Sequence, residues 1–436
     1  MLNFCIETFG CQMNYSDSER IIGLLERAGW KNIESSEKAD LVIFNTCSVR
    51  QKSEDKAVGA MRQLKQQSPT ACIGVTGCMV RKTGSRATST DKILKLDSVD
   101  FVFRIEDLGK LPKIIEEFFP GKFDYAEEIQ NYFEISPHVK NKKQVFVPIM
   151  QGCDKFCAYC IVPHTRGREI SRPMQDVLNE CEKLVQKGAL EITLLGQNVN
   201  SYTHEGKKCF ATLLREVDTL SKDGLKRVRF TSPHPQDFKD DVIDAIADCE
   251  TLCPYVHLPA QHGSNTVLKE MQRHYTIEEF EEIVRKIRTK IPGCGLSTDI
   301  IVGFPGETEK DILDLLAFGE RMKFDFSYTA IFSPRKGTPA AERSDQIPME
   351  EKKDRFRRFD EVVKKHALAR RTDFIGKELE ILFEQATQQK DGMWRCGGRS
   401  AEFMEVYCTC GRNMAGEIAT AKITDQDGFI LNGELL

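Results

Sequence analysis

Residues 144–163 read QVFVPIMQGCDKFCAYCIVP. The apolar run over 145–150 predicts a buried strand, Gly152 a turn, and Cys153, Cys157 and Cys160 follow at once. Three thiols spaced C-x-x-x-C-x-x-C cannot close a structural zinc site, which takes four ligands and usually pairs one C-x-x-C with a distant second pair. Soft thiolates also suit iron-sulfur clusters, and three of them around one corner of a four-iron cube leave the fourth iron open to a ligand. A free cysteine is often a small core hydrophobe. Three packed this closely behind a strand and a glycine make a poor core, so the spacing predicts a reactive metal site.

The chain around this stretch has 436 residues, enough for about two to four domains. No basic region with an apolar run opens it, and no apolar stretch reaches the roughly 18 residues of a membrane span, so a cytoplasmic protein is expected. In that compartment sixteen cysteines predict metal or redox chemistry rather than disulfides. The formal net charge is −4, so a nucleic-acid partner would need a local basic patch.

Upstream, the pattern predicts a strand over 4–9, a loop at GCQMN and a helix over 17–28, with Ser16 and Glu19 as its capping box and Gly29 at its end. A strand over 41–44 leads to Asn45-Thr46-Cys47 and a helix over 52–66. A third strand over 72–76 leads to Gly77-Cys78. This βαβ rhythm implies a parallel sheet. Cys11, Cys47 and Cys78 each fall just past the carboxyl end of a strand, the edge where open parallel sheets bind ligands. They are expected to converge as a second three-thiolate site.

A helix is expected over 107–119, and the polar stretch 121–143 reads as a linker. Strands over 145–150, 191–195, 227–231, 255–258, 295–302 and 326–332 alternate with helical segments. Six βα units are too few for a closed eight-unit barrel, so an open, partial (β/α)6 barrel is expected. Its strand-end loops carry the small polar residues where barrels place catalytic groups. His234, His257 and His262 in those loops are expected to hydrogen-bond rather than bind metal, since cysteines already supply ligands. Residues 351–371 predict a helix with Phe356, Phe359 and Val363 at helical spacing and nine Lys or Arg against four acids. A solvated face and an RNA contact both fit it. From Phe374 onward, short apolar runs with glycines predict a small β-barrel, a form that often binds nucleic acid. Cys396, Cys408 and Cys410 within it are not read as a third metal site, on the expectation that C-x-C splits across two strand faces and because no fourth ligand is evident. The fold class is thus α/β with domains at 1–120, 144–371 and 372–436, joined by the 121–143 linker.

The central triad, with Tyr159 just before its last cysteine, resembles the radical S-adenosylmethionine superfamily. With GCQMN, NTCSVR and TGC added at the other triad, and LLGQNVNSY, HLPAQHGS and STDIIVGFPGET downstream, the whole chain resembles the radical S-adenosylmethionine methylthiotransferases. The resemblance implies an N-terminal cluster domain, a radical barrel and a C-terminal TRAM domain. It implies two [4Fe-4S] clusters, one on Cys153, Cys157 and Cys160 that cleaves S-adenosyl-L-methionine to a 5′-deoxyadenosyl radical, and one on Cys11, Cys47 and Cys78 that holds the sulfur to be transferred. By motif match, Tyr159, Gln197, Asn198, Gln261, Asp299 and Phe332 line the S-adenosylmethionine pocket.

Within the family, GCQMN and NTCSVR are most similar to the branch that adds a methylthio group at carbon 2 of N6-prenyladenosine beside the tRNA anticodon. Expected partners are the anticodon stem-loop, an electron donor such as flavodoxin or ferredoxin, and a sulfur source, with the enzyme a monomer away from membranes. Threonylcarbamoyl-adenosine in tRNA, or an aspartate of a small-subunit ribosomal protein, would be the alternative substrates. A non-catalytic iron-sulfur protein that binds RNA is the alternative of another class, and the open triad argues against it.

Overall fold

The computed structural model describes residues 2–48, 51–123 and 132–436. Two compact units emerge, the first made of Met1–Glu180, Leu194–Gln197 and Arg335–Ala341, the second of Cys181–Thr193, Asn198–Pro334 and Glu342–Leu436.

The first unit opens with β1 (Asn3–Thr8), α1 (Gln12–Arg27), β2 (Lys31–Asn32), β3 (Leu41–Thr46), α2 (Gln51–Gln67), β4 (Cys72–Gly77), β5 (Gly84–Ser85) and β6 (Phe101–Val102). They form one sheet in the order β2-β1-β3-β4-β6-β5, with β1, β3 and β4 mutually parallel. Along β3 the side chains alternate between two cores. Leu41 and Ile43 join Phe4, Ile21 and Leu25 on the α1 face, while Val42 and Phe44 join Ala57, Met61 and Val75 on the α2 face. A strand buried on both faces reads as one apolar run, as a covered parallel sheet requires.

The helix expected over 107–119 begins as a 3-10 segment, Ile105–Lys110, and becomes α3 only at Leu111–Phe118. Pro112 sits in its first turn, where a missing N–H costs nothing. Of the stretch expected as a linker, residues 124–131 lie outside the described residues. Tyr132 and Ile135 beyond them are buried in the α1 core. The unit continues with β7 (Gln144–Pro148), β8 (Met150–Gln151), α4 (Val162–Thr165) and β9 (Ile170–Ser171). The Ile149 N–H donates to Leu195 O at 2.9 Å, setting the end of β7 beside the end of β10 (Glu191–Leu195). The chain runs from β9 to β10 through α5 (Met174–Gln186).

In the second unit a small hairpin, β11 (Thr203–His204) and β12 (Lys207–Lys208), precedes α6 (Phe210–Asp218), β13 (Arg227–Phe230), α7 (Asp240–Asp248) and β14 (Tyr255–His257). Then come α8 (Asn265–Glu270), α9 (Ile277–Lys290), β15 (Gly295–Val302), α10 (Glu309–Met322) and β16 (Phe326–Ile331). Strand β13 lies beside β10, a parallel bridge joins Val228 to Leu252, and β14, β15 and β16 form a parallel sheet. All six strands expected of the partial barrel are present. After α11 (Pro339–Glu342), the expected basic helix appears as α12 (Met349–Thr372). Its buried stripe is Phe359, Val363 and Ala367 together with Lys352, Arg355 and Arg371, rather than Phe356.

The chain ends in a closed barrel of β17 (Glu378–Gln388), β18 (Trp394–Ser400), β19 (Glu405–Cys410), β20 (Ile418–Asp427) and β21 (Ile430–Leu435), ordered β17-β18-β19-β21-β20. Cys408 and Cys410 both point into its core, with Cys396 paired across from Cys408. The expectation that C-x-C would divide between faces is therefore corrected, because side chains two apart on a strand share a face. Among the described residues no disulfide joins any of the sixteen cysteines.

Two arginines of β13 dock this small barrel onto the strands. Arg227 donates to Arg399 O at 2.8 Å and Glu380 O at 2.7 Å. Arg229 donates to Ala401 O at 2.9 Å and Ser400 O at 2.8 Å while its Nε holds the buried carboxylate of Glu191 at 2.9 Å. Tyr255 stacks on Phe403 with ring centroids 4.5 Å apart. Removing one partner of a buried ion pair costs about 3–5 kcal/mol. Arg229→Ala should therefore lower stability by that order in urea unfolding and expose the β18–β19 turn to protease. An unchanged midpoint and digestion pattern would show that the barrel is docked by other contacts.

Candidate metal centres

The first triad stands on the carboxyl edge of the N-terminal sheet. Register pairs Thr8 with Asn45 and Thr46 with Gly77, so β1, β3 and β4 end level with Cys11, Cys47 and Cys78 just beyond. Cys11 is the N-cap of α1. The expected loop at GCQMN and helix start at Asp17 are corrected by this, for α1 begins at Gln12 and encloses Ser16 and Glu19. The capping box is formed by Cys11 and Asn14, whose Oδ1 accepts the Cys11 N–H at 3.3 Å. Asn14, Ser16, Asp17 and Ser18 interrupt the apolar period by which a helix is recognised, yet all four are buried.

Polar partners account for most of that burial. Asn14 Nδ2 donates to Asn45 Oδ1 at 2.8 Å and Thr46 O at 3.2 Å. Asn45 Nδ2 donates in return to Asn14 O at 2.8 Å and Ser18 Oγ at 3.0 Å. The same Thr46 O accepts the Cys78 N–H at 2.8 Å. Gly77 makes this turn at φ +87°, where a Cβ would collide with Thr46 O. At Gly10 a Cβ would strike Asn14 and lie 3.0 Å from the Cys47 Cβ, so the absence of a side chain lets the Cys11 loop sit beside Cys47. The three cysteine loops are thus tied to one another through buried backbone and amide groups.

Arg166, just after α4, reaches the same edge. Its Nη2 donates to Asp17 Oδ2 at 2.6 Å, and Asp17 Oδ1 accepts the Tyr132 hydroxyl at 2.8 Å. Burial by itself would push the guanidinium pKa down, but Asp17, and then the sulfurs of Cys78 and Cys11, raise it well above its ordinary value. Nη1 is buried without a hydrogen-bond partner.

The second triad occupies the loop between β8 and α4. Gly152 turns at φ +79°, a Cβ there would collide with Arg168 O, and its N–H donates to Gln197 Oε1 at 2.6 Å. The Cys153 N–H donates to Gly167 O at 3.3 Å and the Cys160 N–H to Cys157 O at 2.9 Å. Burial pushes the Cys153 thiol up to about 11. Tyr159 is half-buried. Among the described residues, no three Cys, His, Asp or Glu converge as they would on one metal ion.

The remaining expected cofactor residues lie in the second unit, Asn198, Gln261 and Phe332 after strands and Asp299 within β15. Gln261, at φ +66°, donates its N–H to Asp299 O and accepts the Ile301 N–H, both at 2.8 Å, so it is held in a left-handed conformation between two points of β15. Such a conformation costs a non-glycine residue about 1–2 kcal/mol. Gln261 and Asp299 therefore adjoin. Asn198 instead donates to Asp237 at 3.1 Å, and Phe332 packs edge-on against Phe304 at 5.4 Å. As expected, the three histidines hydrogen-bond. His234 accepts the Gln236 N–H, His257 meets Ser297 and His262 meets Glu307.

Residues 147–319 match the model of the Radical SAM superfamily and residues 3–103 that of the Uncharacterized protein family UPF0004. A tRNA-2-methylthio-N(6)-dimethylallyladenosine synthase of Clostridium perfringens (strain SM101 / Type A) is 42% identical over 99% of this chain and 97% of its own length. The chain belongs to that synthase family. The like-named protein of Thermoanaerobacter pseudethanolicus (strain ATCC 33223 / 39E) is 39% identical over 100% of this chain and 93% of its own length. Among solved structures, the radical S-adenosylmethionine methyltransferase TsrM from Kitasatospora setae aligns with TM-score 0.58 at 14% identity, covering 78% of this chain and 75% of that one, a likeness of fold. As a radical SAM protein the chain uses S-adenosylmethionine and a [4Fe-4S] cluster.

Asn14, Asn45, Asp17 and Arg166 were not among the sequence candidates. Only their places near the cysteines could have signalled them, Asn14 in GCQMN, Asn45 in NTC, Arg166 in HTRGRE and Asp17 three residues past GCQMN. Replacing Asn14 by Ala takes the donor from the buried Asn45 Oδ1, and a buried group left unsatisfied costs about 1–3 kcal/mol. Metal-free Asn14→Ala protein should lose that much stability in urea unfolding. Wild-type stability would show that the three loops are held otherwise.

Proposed function

We propose that this chain is a tRNA methylthiotransferase that converts N6-dimethylallyladenosine beside the anticodon to its 2-methylthio form. The observation that carries the reading is the gathering of Cys11, Cys47 and Cys78 on one sheet edge, in a chain with a separate radical SAM triad. Relatives about 40% identical throughout, named for this reaction, support it.

Cys153, Cys157 and Cys160 would hold the [4Fe-4S] cluster of the radical SAM fold, and Cys11, Cys47 and Cys78 a second. When bound, these groups supply one-electron cleavage of S-adenosylmethionine and the sulfur to be transferred. The residues suit them. A four-iron cluster takes each thiolate on a different iron, so a triad of cysteines leaves one iron open to a ligand. An unpartnered, buried guanidinium N–H on Arg166, acting on Cys78 and Cys11, suits an anionic cluster there.

The chain's own work is placement. Gln197 fixes the Gly152 turn and so the height of Cys153. Asn14 and Asn45 fix the other triad. Tyr159, Gln197, Asn198, Gln261, Asp299 and Phe332 would line the S-adenosylmethionine pocket. A single-electron donor such as flavodoxin or ferredoxin, an outside sulfur source and the anticodon stem-loop complete the reaction, with the enzyme acting as a monomer. No helix among the described residues is long and apolar enough to cross a membrane.

Anaerobically reconstituted protein should hold about eight irons, from two four-iron clusters. Changing Cys153, Cys157 and Cys160 to Ala should halve the iron and abolish release of 5′-deoxyadenosine. Changing Cys11, Cys47 and Cys78 to Ala should also halve the iron, keep 5′-deoxyadenosine release and abolish methylthio transfer. Nucleoside mass spectrometry of tRNA from a host lacking its own enzyme reads the product. A methylthio product from the second variant would refute the sulfur-donor role, and its absence with active wild type would refute the substrate.

A further inference from the structure

Three residues past Cys78 the chain enters a group of exposed cations. Arg81 and Lys82 are set by Asp91, whose Oδ2 accepts both of their backbone N–H groups at 2.8 and 2.9 Å. The other oxygen of this buried carboxylate caps the 3-10 turn Lys92–Lys95 by accepting the Ile93 N–H at 3.0 Å. One acid therefore folds the loop after Cys78 against the turn bearing Lys92 and Lys95. A third segment joins them, as Arg81 Nη2 donates to Lys336 O at 2.6 Å and a Cβ on Gly337 would lie 3.2 Å from Arg81 Nη1.

Arg81, Lys92, Lys95 and Lys336 are all exposed. Among the described residues, none of the four side chains forms an ion pair with a carboxylate. Lys336 above all, and then Arg81 and Lys95, press the Lys92 pKa down, which is the response of an ammonium held among like charges. Helix α12 makes the contrast. Arg357 pairs with Asp354 and Glu361, Arg358 with Glu309, Lys364 with Asp360 and Lys365 with Glu320, at 2.6 to 3.0 Å. A cation already facing a carboxylate adds little field. An unpaired group on a chain of net charge −4 concentrates positive potential at one place.

We propose that Arg81, Lys92, Lys95 and Lys336 form a phosphate-binding surface that seats the backbone of the substrate RNA beside the Cys78 loop. The proposal rests on the tRNA reading above. Charge complementarity favours it, because RNA offers a phosphate at every nucleotide and a net acidic protein must meet it with a local basic patch. Placement favours it too. The patch begins in the loop of a cysteine that would carry the sulfur, so RNA held there lies next to the group it must meet.

The test is binding of an unmodified tRNA transcript to the reconstituted enzyme, by fluorescence anisotropy over about 50 to 200 mM salt. Each phosphate contact contributes roughly 0.7 to 0.9 to the slope of log affinity against log salt. Lys92→Gln, Lys95→Gln and Lys336→Gln together should weaken binding at low salt and flatten that slope by about 2 to 3. The same three sites changed to Arg should keep the wild-type slope. Arg81 is left in place in both, so that its bond to Lys336 O survives, and RNA-free release of 5′-deoxyadenosine should match wild type in both. Neutralising Arg357, Arg358, Lys364 and Lys365 on α12 should leave the slope unchanged. A wild-type slope in the Gln variant overturns the patch alone. If that variant instead accepts electrons more slowly from an acidic flavoprotein, the surface belongs to the electron donor and the RNA proposal fails. Wild type that binds no tRNA would sink the surface and the tRNA reading together.

Discussion

The reciprocal amide pair of Asn14 and Asn45 is what the N-terminal site depends on. One amide sits in the first turn of α1 and the other at the end of β3; Asn45 uses both its donor and its acceptor on α1, while Asn14 donates across to Asn45 and Thr46 and accepts from Cys11 on its own segment. The Thr46 carbonyl that accepts from Asn14 also holds the Cys78 N–H. Three cysteines from distant parts of the chain are therefore positioned by polar groups that would be costly to bury alone and are worth more as a network. Apolar residues could have filled the same space but could not have set the loops so specifically, since dispersion has little directional preference.

Asp17 and Arg166 extend that network to the segment following the other triad. A buried ion pair gains little net stability, because desolvating both charges offsets most of their attraction. What it supplies here is register. Asp17 is tied to both Tyr132 and Arg166, so α1, the segment around Tyr132 and the segment after α4 are fixed in the first unit by one carboxylate. Arg20 does similar work nearby, bonding Ile135 O and the Glu180 carboxylate. Residues 132–135, inside the stretch read as a polar linker, thus serve as structure.

Charge is distributed by the same economy in the second unit. Glu307 accepts from the backbone N–H of Gly303 at 3.0 Å and from Arg355 at 2.8 Å, bracing the loop after β15 against α12. The buried cations of that helix serve structure, and its outer cations Arg357, Arg358, Lys364 and Lys365 face carboxylates. A count of nine basic residues does not by itself report a local potential, because potential depends on which charges remain unneutralised.

The sequence by itself determined the alternation of strands and helices, both cysteine triads, their places beyond strand ends, and the C-terminal barrel. These are local or periodic features, carried by neighbours a few residues apart. The shared face of Cys408 and Cys410 was equally legible, from the two-residue period of a strand. The start of α1 was hidden, since its first turns are buried through polar partners, and a pattern of apolar residues cannot report a partner such as Asn45 or Arg166. The Asp17–Arg166 pair spans 149 positions, and Arg81, Lys92 and Lys336 come from three separate segments. Only the tertiary structure decided these, because electrostatic and hydrogen-bond energies depend on distance and direction in space, and separation along the chain fixes neither.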